Sequence, residues 1–111
     1  MGVTFKAYND ILIVNLKGEL DHHMAGIVKE KLDEYLARQT FKKILFNFKY
    51  VNFMDSSGVG MLIGRYKHLQ KIGGKIGAVN IGKQVKRIFE ISGLFNIIPC
   101  YKDEIEASEK M

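Results

Sequence analysis

Along the chain, short runs of hydrophobic residues typical of β-strands alternate with stretches in which hydrophobic residues recur at helical spacing. Residues 4–8 and 11–16 are rich in aliphatic and aromatic side chains and are separated by Asn9-Asp10. Two such runs joined by a pair of turn-forming residues are typical of a β-hairpin. We therefore predict that the first two strands are antiparallel neighbours.

A helical period follows the hairpin. Between Asp21 and Arg38, apolar residues recur at three- and four-residue intervals with charged residues between them. This spacing predicts an amphipathic helix packed on a sheet. Asp21 is suited to cap that helix because its carboxylate can accept hydrogen bonds from the free amides of the first turn.

Two further helices are indicated in the second half of the chain. A hydrophobic stripe over residues 59–69 predicts a helix that begins just after Asp55-Ser56-Ser57-Gly58 and is broken by Gly73-Gly74. Val85, Ile88 and Phe89 predict another helix, which Ser92-Gly93 ends.

Short apolar runs between the helices predict the remaining strands at residues 43–48, 76–79 and 97–98, and the acidic last residues predict a terminal helix. The order β-β-α-β-α-β-α-β-α indicates an α/β fold with a mixed sheet. The later strands are expected to be parallel through right-handed crossovers and to be packed by about four helices. One domain over residues 1–111 is predicted, because 111 residues are too few for two.

The charge distribution, the hydropathy and the cysteine content bear on the possible partners and on the cellular compartment. The net charge is +5, with basic residues concentrated over residues 56–90 and acidic residues at the end of the chain. A nucleic-acid partner is one interpretation and a solvated lysine surface is the other, and no DNA- or RNA-binding motif supports the first. No apolar run approaches the roughly 20 residues of a membrane span. The single cysteine, Cys100, fits a reducing interior, so we expect a cytoplasmic protein.

Two glycine patterns resemble phosphate-binding loops. Gly58, Gly60 and Gly64 follow a predicted strand and open a helix, but the last glycine is one position too late for a dinucleotide fingerprint. The two helical glycines Gly60 and Gly64 are better suited to a close approach by a neighbour or a partner. The segment from Gly77 to Lys83 fits G-x-x-x-x-G-K, although Gln84 replaces the magnesium-binding hydroxyl. A small nucleotide-binding protein or NTPase that uses this segment is therefore the alternative function.

No other pattern indicates catalysis or a metal. His22-His23 has no further ligands at metal-binding spacing, and adjacent helical residues point about 100° apart. The nucleophile elbow of a serine hydrolase is absent. We expect no catalytic residue, no cofactor and no metal site.

The segment Asp55-Ser56-Ser57-Gly58 has two interpretations. Ser and Asp side chains at a helix start satisfy free amide donors, so the segment can be a simple N-cap. The same amides and the partial positive charge of the helix would also accommodate a phosphate added to one of the hydroxyls. Phosphorylation there would change the surface and leave the fold intact.

These residues resemble a family of small bacterial proteins, the anti-sigma factor antagonists with the STAS fold. The resemblance rests on three landmarks in the family's order, which are Gly18-Glu19-Leu20-Asp21, residues 53–60 and Ile91-Ser92-Gly93-Leu94-Phe95. It covers nearly the whole chain. Asp21-His22-His23 and Gly64-Arg65-Tyr66-Lys67 are similar in particular to sporulation members, which implies an endospore-forming bacterium.

The resemblance implies a partner switch controlled by phosphorylation. The unmodified protein would bind an anti-sigma factor that is also a serine kinase, and a serine phosphatase would reverse the modification. Ser56 is the expected phosphorylation site, with Ser57 as the second choice. A partner-binding surface is expected at Asp21, Asp55, Ser56, Ser57, Gly58 and Gly60. The protein would be monomeric when free, without direct contact to nucleic acid or membrane.

Overall fold

The predicted hairpin is present in the computed structural model, which describes residues 2–111 and leaves Met1, the first residue of the predicted domain, outside the described part. Strand β1 (Gly2–Tyr8) pairs antiparallel with β2 (Ile11–Leu20). Asn9, in the link between them, has a φ of 55°. Asparagine tolerates this left-handed conformation better than most residues, which explains why the polar pair makes the turn.

Three parallel strands complete the sheet. β3 (Lys43–Met54) pairs with β2, β4 (Lys75–Val79) pairs with β3, and β5 (Cys100–Tyr101) pairs with β4, so the strand order is β1-β2-β3-β4-β5. The mixed sheet, with its antiparallel hairpin and parallel later strands, confirms the predicted fold class.

Three strand predictions were wrong, two in where the strand ends and one in where the strand lies. β2 and β3 run past the predicted ends at residues 16 and 48, and their pairing continues through two register shifts to Leu20 and Met54. The final strand is not at residues 97–98. The amides of Ile97 and Ile98 donate to the Leu94 carbonyl at 3.0 and 2.8 Å, so they close a 3₁₀ turn (Leu94–Asn96) and cannot join the ladder.

Four α-helices cover the sheet, as predicted. They are α1 (His22–Arg38), α2 (Ser56–Lys71), α3 (Lys83–Ser92) and α4 (Glu104–Lys110). Residues of α1, α2 and α3 pack with Leu12 and Phe46 in the larger core, whereas Ala107 of α4 packs with Ile13 and Leu45 on the opposite face. Successive right-handed crossovers in one direction across the sheet place α1, α2 and α3 on the same side.

Glycines end two of the helices. Gly93 follows α3 with a φ of 79°, and Gly73, two residues after α2, has a φ of 72°. Both angles lie in the left-handed region that favours glycine. The predicted breaks at Gly73-Gly74 and Ser92-Gly93 are confirmed. Within residues 2–111, no helix combines the length and the apolar character needed to cross a membrane.

Candidate functional site

Strand register brings Asp21 and Asp55 together. Leu20 and Met54 are partners at the carboxyl ends of the parallel strands β2 and β3, and each aspartate is the next residue in its chain segment. The Asp55 amide donates to the Leu20 carbonyl at 3.3 Å, which links the two segments. The expected proximity of Asp21 to the start of the second helix is therefore a consequence of sheet pairing.

Both aspartates cap helices. Asp21 Oδ1 accepts a hydrogen bond from the Met24 amide at 2.9 Å, and Asp55 Oδ1 accepts one from the Ser57 amide at 2.8 Å. Asp55 is the N-cap of α2, so Ser56 and Ser57 lie inside its first turn. The capping interpretation is thus right for the aspartate, and the two hydroxyls are not needed for it.

The two serines have different surroundings. Ser56 is exposed, whereas Ser57 is partly buried and its Oγ lies 3.3 Å from His22 Nδ1. Among the described residues, no side-chain hydrogen bond involves the Ser56 hydroxyl. The site therefore presents one free hydroxyl and one that is engaged by an imidazole.

His22 is the residue that the sequence analysis did not assign to this site. Its imidazole is exposed, and within residues 2–111 no group of three or more His, Cys, Asp or Glu side chains is placed to hold a metal ion. The contact with Ser57 joins the first turn of α1 to the first turn of α2. The sequence held only part of the signal: His22 directly follows Asp21, but its proximity to Ser57 depends on the pairing of β2 with β3.

The glycines at the start of α2 serve different purposes. A Cβ on Gly58 would lie 2.6 Å from Met54 Cγ and 3.0 Å from the Leu20 carbonyl oxygen, so the buried Gly58 lets α2 begin close to the strands. A Cβ on Gly60 or Gly64 would meet nothing within 4 Å. The close approach predicted at this pair does not occur within the described chain.

Gly60 and Gly64 instead line an open groove between α1 and α2, which we call the α1–α2 groove. Its volume is about 690 Å³. It is lined by residues of both helices, namely His22, Ala25, Gly26, Lys29, Asp33, Ser57, Gly60, Met61, Gly64, Arg65 and His68. Ser57 and His22 connect this groove to the two helix starts.

A charged pair joins the two walls of the groove. Arg65 of α2 is only 8% exposed, and its Nη2 donates to Asp33 Oδ1 of α1 at 2.7 Å. Burial by itself would raise the pKa of Asp33, but hydrogen bonds from Arg65 and Lys29 outweigh it and hold the pKa below its usual value. Asp33 is therefore a carboxylate at neutral pH.

The alternative segment from Gly77 to Lys83 does not form a phosphate-binding loop. Gly77 lies inside β4, where a Cβ would be 2.9 Å from the Tyr101 ring, and α3 begins at Lys83. Only residues 80–82 are left for a loop. Cys100 offers no reactive thiolate either, because burial raises its pKa to about 11.

Comparisons with known proteins identify the family to which this chain belongs. The STAS domain family matches residues 3–107. An anti-sigma F factor antagonist of Paenibacillus polymyxa is 38% identical over 105 residues, which cover 95% of this chain and 90% of the relative. An anti-sigma-B factor antagonist of Bacillus subtilis is 37% identical over 90 residues, which cover 81% of this chain and 80% of the relative.

Solved structures share the fold. The phosphorylated form of SpoIIAA, described as a Bacillus cell fate determinant, superposes with a TM-score of 0.74 at 28% identity and covers 98% of each chain. An anti-sigma factor antagonist from Mycobacterium paratuberculosis superposes with a TM-score of 0.85 at 22% identity, covering 97% of this chain and 91% of the other.

Proposed function

The chain belongs to the STAS-domain family and is an anti-sigma factor antagonist, and from that premise we propose that it is the phosphorylation-controlled member of a sporulation switch. In this proposal the unmodified protein binds an anti-sigma factor that is also a serine kinase, and so releases the sporulation sigma factor. Phosphorylation by that kinase ends binding, and a serine phosphatase restores it. The 38% identical relative is itself an anti-sigma F factor antagonist, which supports the sporulation assignment.

The observation that carries this proposal is the free Ser56 hydroxyl in the first turn of α2. It is exposed and lies next to the Asp55 cap, at a helix start with no acidic residue in its first turn. Amides at such a position, together with the helix dipole, favour an added phosphate. The 28% identical SpoIIAA is known in a phosphorylated form, which agrees with a modification in this family.

Ser56 is preferred over Ser57 on structural grounds. A kinase needs an accessible hydroxyl that can reach the γ-phosphate, and the Ser57 hydroxyl is in contact with His22 Nδ1 whereas Ser56 is the more exposed residue. We therefore assign phosphorylation to Ser56 and keep Ser57 as the second choice. The proposed contact surface also includes Asp21, Asp55, Ser57 and Gly60. The buried Gly58 contributes indirectly, because it lets α2 begin close to the strands.

Removal of the Ser56 hydroxyl tests the assignment. Ser56→Ala should keep the fold, because removing an exposed hydroxyl that makes no hydrogen bond within the described residues alters stability by about 0.5 kcal/mol or less. It should bind the anti-sigma factor but take up no phosphate from ATP, as measured by intact-protein mass spectrometry. Ser57→Ala is the comparison variant: it keeps the Ser56 hydroxyl and should still take up one phosphate per chain, even if loss of a contact slows the reaction. Stoichiometric phosphate on Ser56→Ala would move the site to Ser57 or end the proposal.

The remaining expectations stay predictions. They are a single domain over residues 1–111, a monomer when free, a cytoplasmic location, no cofactor or metal, no catalysis by the chain itself, and no direct contact with nucleic acid or membrane.

A further inference from the structure

The α1–α2 groove is open because glycines replace side chains along it. At Gly26, Gly60 and Gly64, an added Cβ would meet no atom within 4 Å. Glycine inside a helix costs about 0.5–1 kcal/mol relative to alanine. No contact within residues 2–111 requires glycine at these three positions. They leave room for the close approach of a backbone from another molecule.

The same groove is lined by a buried guanidinium group, that of Arg65, which has more hydrogen-bond donors than its contact with Asp33 uses. Arg65 is 8% exposed, and its hydrogen bond to Asp33 uses only Nη2. Among the described residues, no fully buried side-chain nitrogen lacks a partner, so Nε and Nη1 of Arg65, for which no hydrogen bond is found, keep some contact with solvent, and Arg65 lines the groove. A guanidinium carries five N–H donors in a fork that matches a carboxylate. Arg65 can therefore hold a second carboxylate in addition to Asp33.

The surrounding charges favour an acidic occupant. Lys29, on the α1 side of the groove, also pairs with Asp33 at 3.1 Å, so one carboxylate is shared by two cations. The charged residues that line the groove are the two cations Lys29 and Arg65 and the one carboxylate Asp33. The charged lining of the groove is thus net positive, and a segment that carries Asp or Glu is complementary to it.

From these observations we propose that the α1–α2 groove docks an acidic segment of the anti-sigma factor, anchored by a carboxylate on Arg65. This inference rests on the proposed function, since it extends the contact of the same partner beyond Ser56. The groove is continuous with that surface, because Ser57 and His22 line one part of it. Its small residues admit the backbone of the segment, and Lys29 and Arg65 select its charge.

Two variants of the full chain test the groove, each with a matched control on α1. Gly64→Leu fills the groove, and Ala37→Leu adds the same side chain at an exposed position outside it. Lys29→Glu reverses a charge in the groove, and Lys31→Glu makes the same reversal at an exposed position outside it. Binding to the anti-sigma factor from the same organism is measured by calorimetry with ADP present, so that no phosphoryl group is transferred.

The groove variants should bind more weakly than their controls. We expect Gly64→Leu and Lys29→Glu each to raise the Kd about tenfold or more, with controls within about twofold of the wild type. The Lys29→Glu effect should shrink as salt is raised from about 0.05 to 0.5 M, because charge attraction is screened. Gly64→Leu should unfold at the same or a higher urea concentration, since leucine has the higher helix propensity.

The possible failures are distinguishable. If the wild type does not bind the anti-sigma factor, the proposed function fails. If the wild type binds and all four variants bind equally well, the groove inference fails while the proposed function stands. A wild-type dimer that Gly64→Leu converts into a monomer in sedimentation experiments would assign the groove to a second copy of this chain and overturn the inference.

Discussion

At the scale of single residues, Asp21 and Asp55 each have one observed role, helix capping, and one proposed role, contact with the partner. Both carboxylates cap a helix through one oxygen, with distances of 2.9 and 2.8 Å to the capped amides. A capping carboxylate keeps lone pairs for a partner, because one hydrogen bond uses only part of its acceptor capacity. The same side chain can therefore stabilise the helix start and contact the anti-sigma factor.

Two substitutions at Asp21 separate these roles. Asp21→Ala removes the cap and should cost about 0.5–2 kcal/mol of stability. Asp21→Ser keeps a capping oxygen, so its melting temperature should be close to that of the wild type. If Asp21 contacts the partner through its charge, both variants should bind the anti-sigma factor about tenfold more weakly. Binding by Asp21→Ser at full strength would remove Asp21 from the contact surface.

The contact of His22 with Ser57 could not be predicted from the sequence, whereas helix capping by Asp21 and Asp55 could. The residue types and spacing of Asp21 and Asp55 predicted capping, because N-cap chemistry depends on a few neighbouring positions. The contact between His22 and Ser57 joins residues 35 positions apart. Only the pairing of β2 with β3 brings them together, and no local pattern contains that information.

At the scale of elements, the helices followed from the sequence more closely than the strands. Apolar periodicity and capping residues located α1, α2 and α3, although α2 begins at Ser56 and not after Gly58 as predicted. The ends of β2 and β3 carry polar residues such as Lys17, Glu19 and Asn52, which local propensity assigns to loops. Pairing with β3 keeps Lys17 and Glu19 extended, and Asn52 lies at a register shift between the paired residues Val51 and Phe53. The last strand was misplaced because the amides of Ile97 and Ile98 serve a 3₁₀ turn.

The start of α2 depends on Gly58 for its position against the strands. Gly58→Ala would place a Cβ 2.6 Å from Met54 Cγ and 3.0 Å from the Leu20 carbonyl oxygen. We expect a loss of about 1–3 kcal/mol from overpacking. Gly60→Ala, two residues along the same helix, meets no neighbour and should gain up to about 1 kcal/mol. Urea unfolding of the two variants is the measurement, and equal midpoints would contradict this account.

At the scale of the whole molecule, the sheet lies between the helices α1 and α2, which carry the site, and the smaller hydrophobic core under α4. The helix starts that carry Asp21 and Ser56 lie at the carboxyl ends of β2 and β3, and α1 and α2 pack on one face. Helix α4 covers Ile11, Ile13 and Leu45 on the other face. A charge added to Ser56 is therefore at the molecular surface and outside both hydrophobic cores.

This placement predicts that phosphorylation leaves the fold unchanged. The first-turn amides and the helix dipole of α2 receive the phosphate, so the free and phosphorylated forms should share one backbone to within about 1 Å. Release then comes from the contact surface itself. A phosphate adds about −1.5 to −2 charges, and burying it against a partner without a matching cation costs several kcal/mol.

Backbone amide shifts of the two forms distinguish this surface mechanism from a conformational one. Shifts confined to residues 55–60 and the adjoining residues around Asp21 are expected, because these are the groups near the new charge. The competing mechanism is a rearrangement that hides the binding surface, as in order–disorder switches. It would spread shifts through α1 and α3, whose packing residues Val28 and Phe89 lie in the shared core. Such a spread would rule out electrostatic repulsion and bulk at Ser56 as a sufficient cause of release.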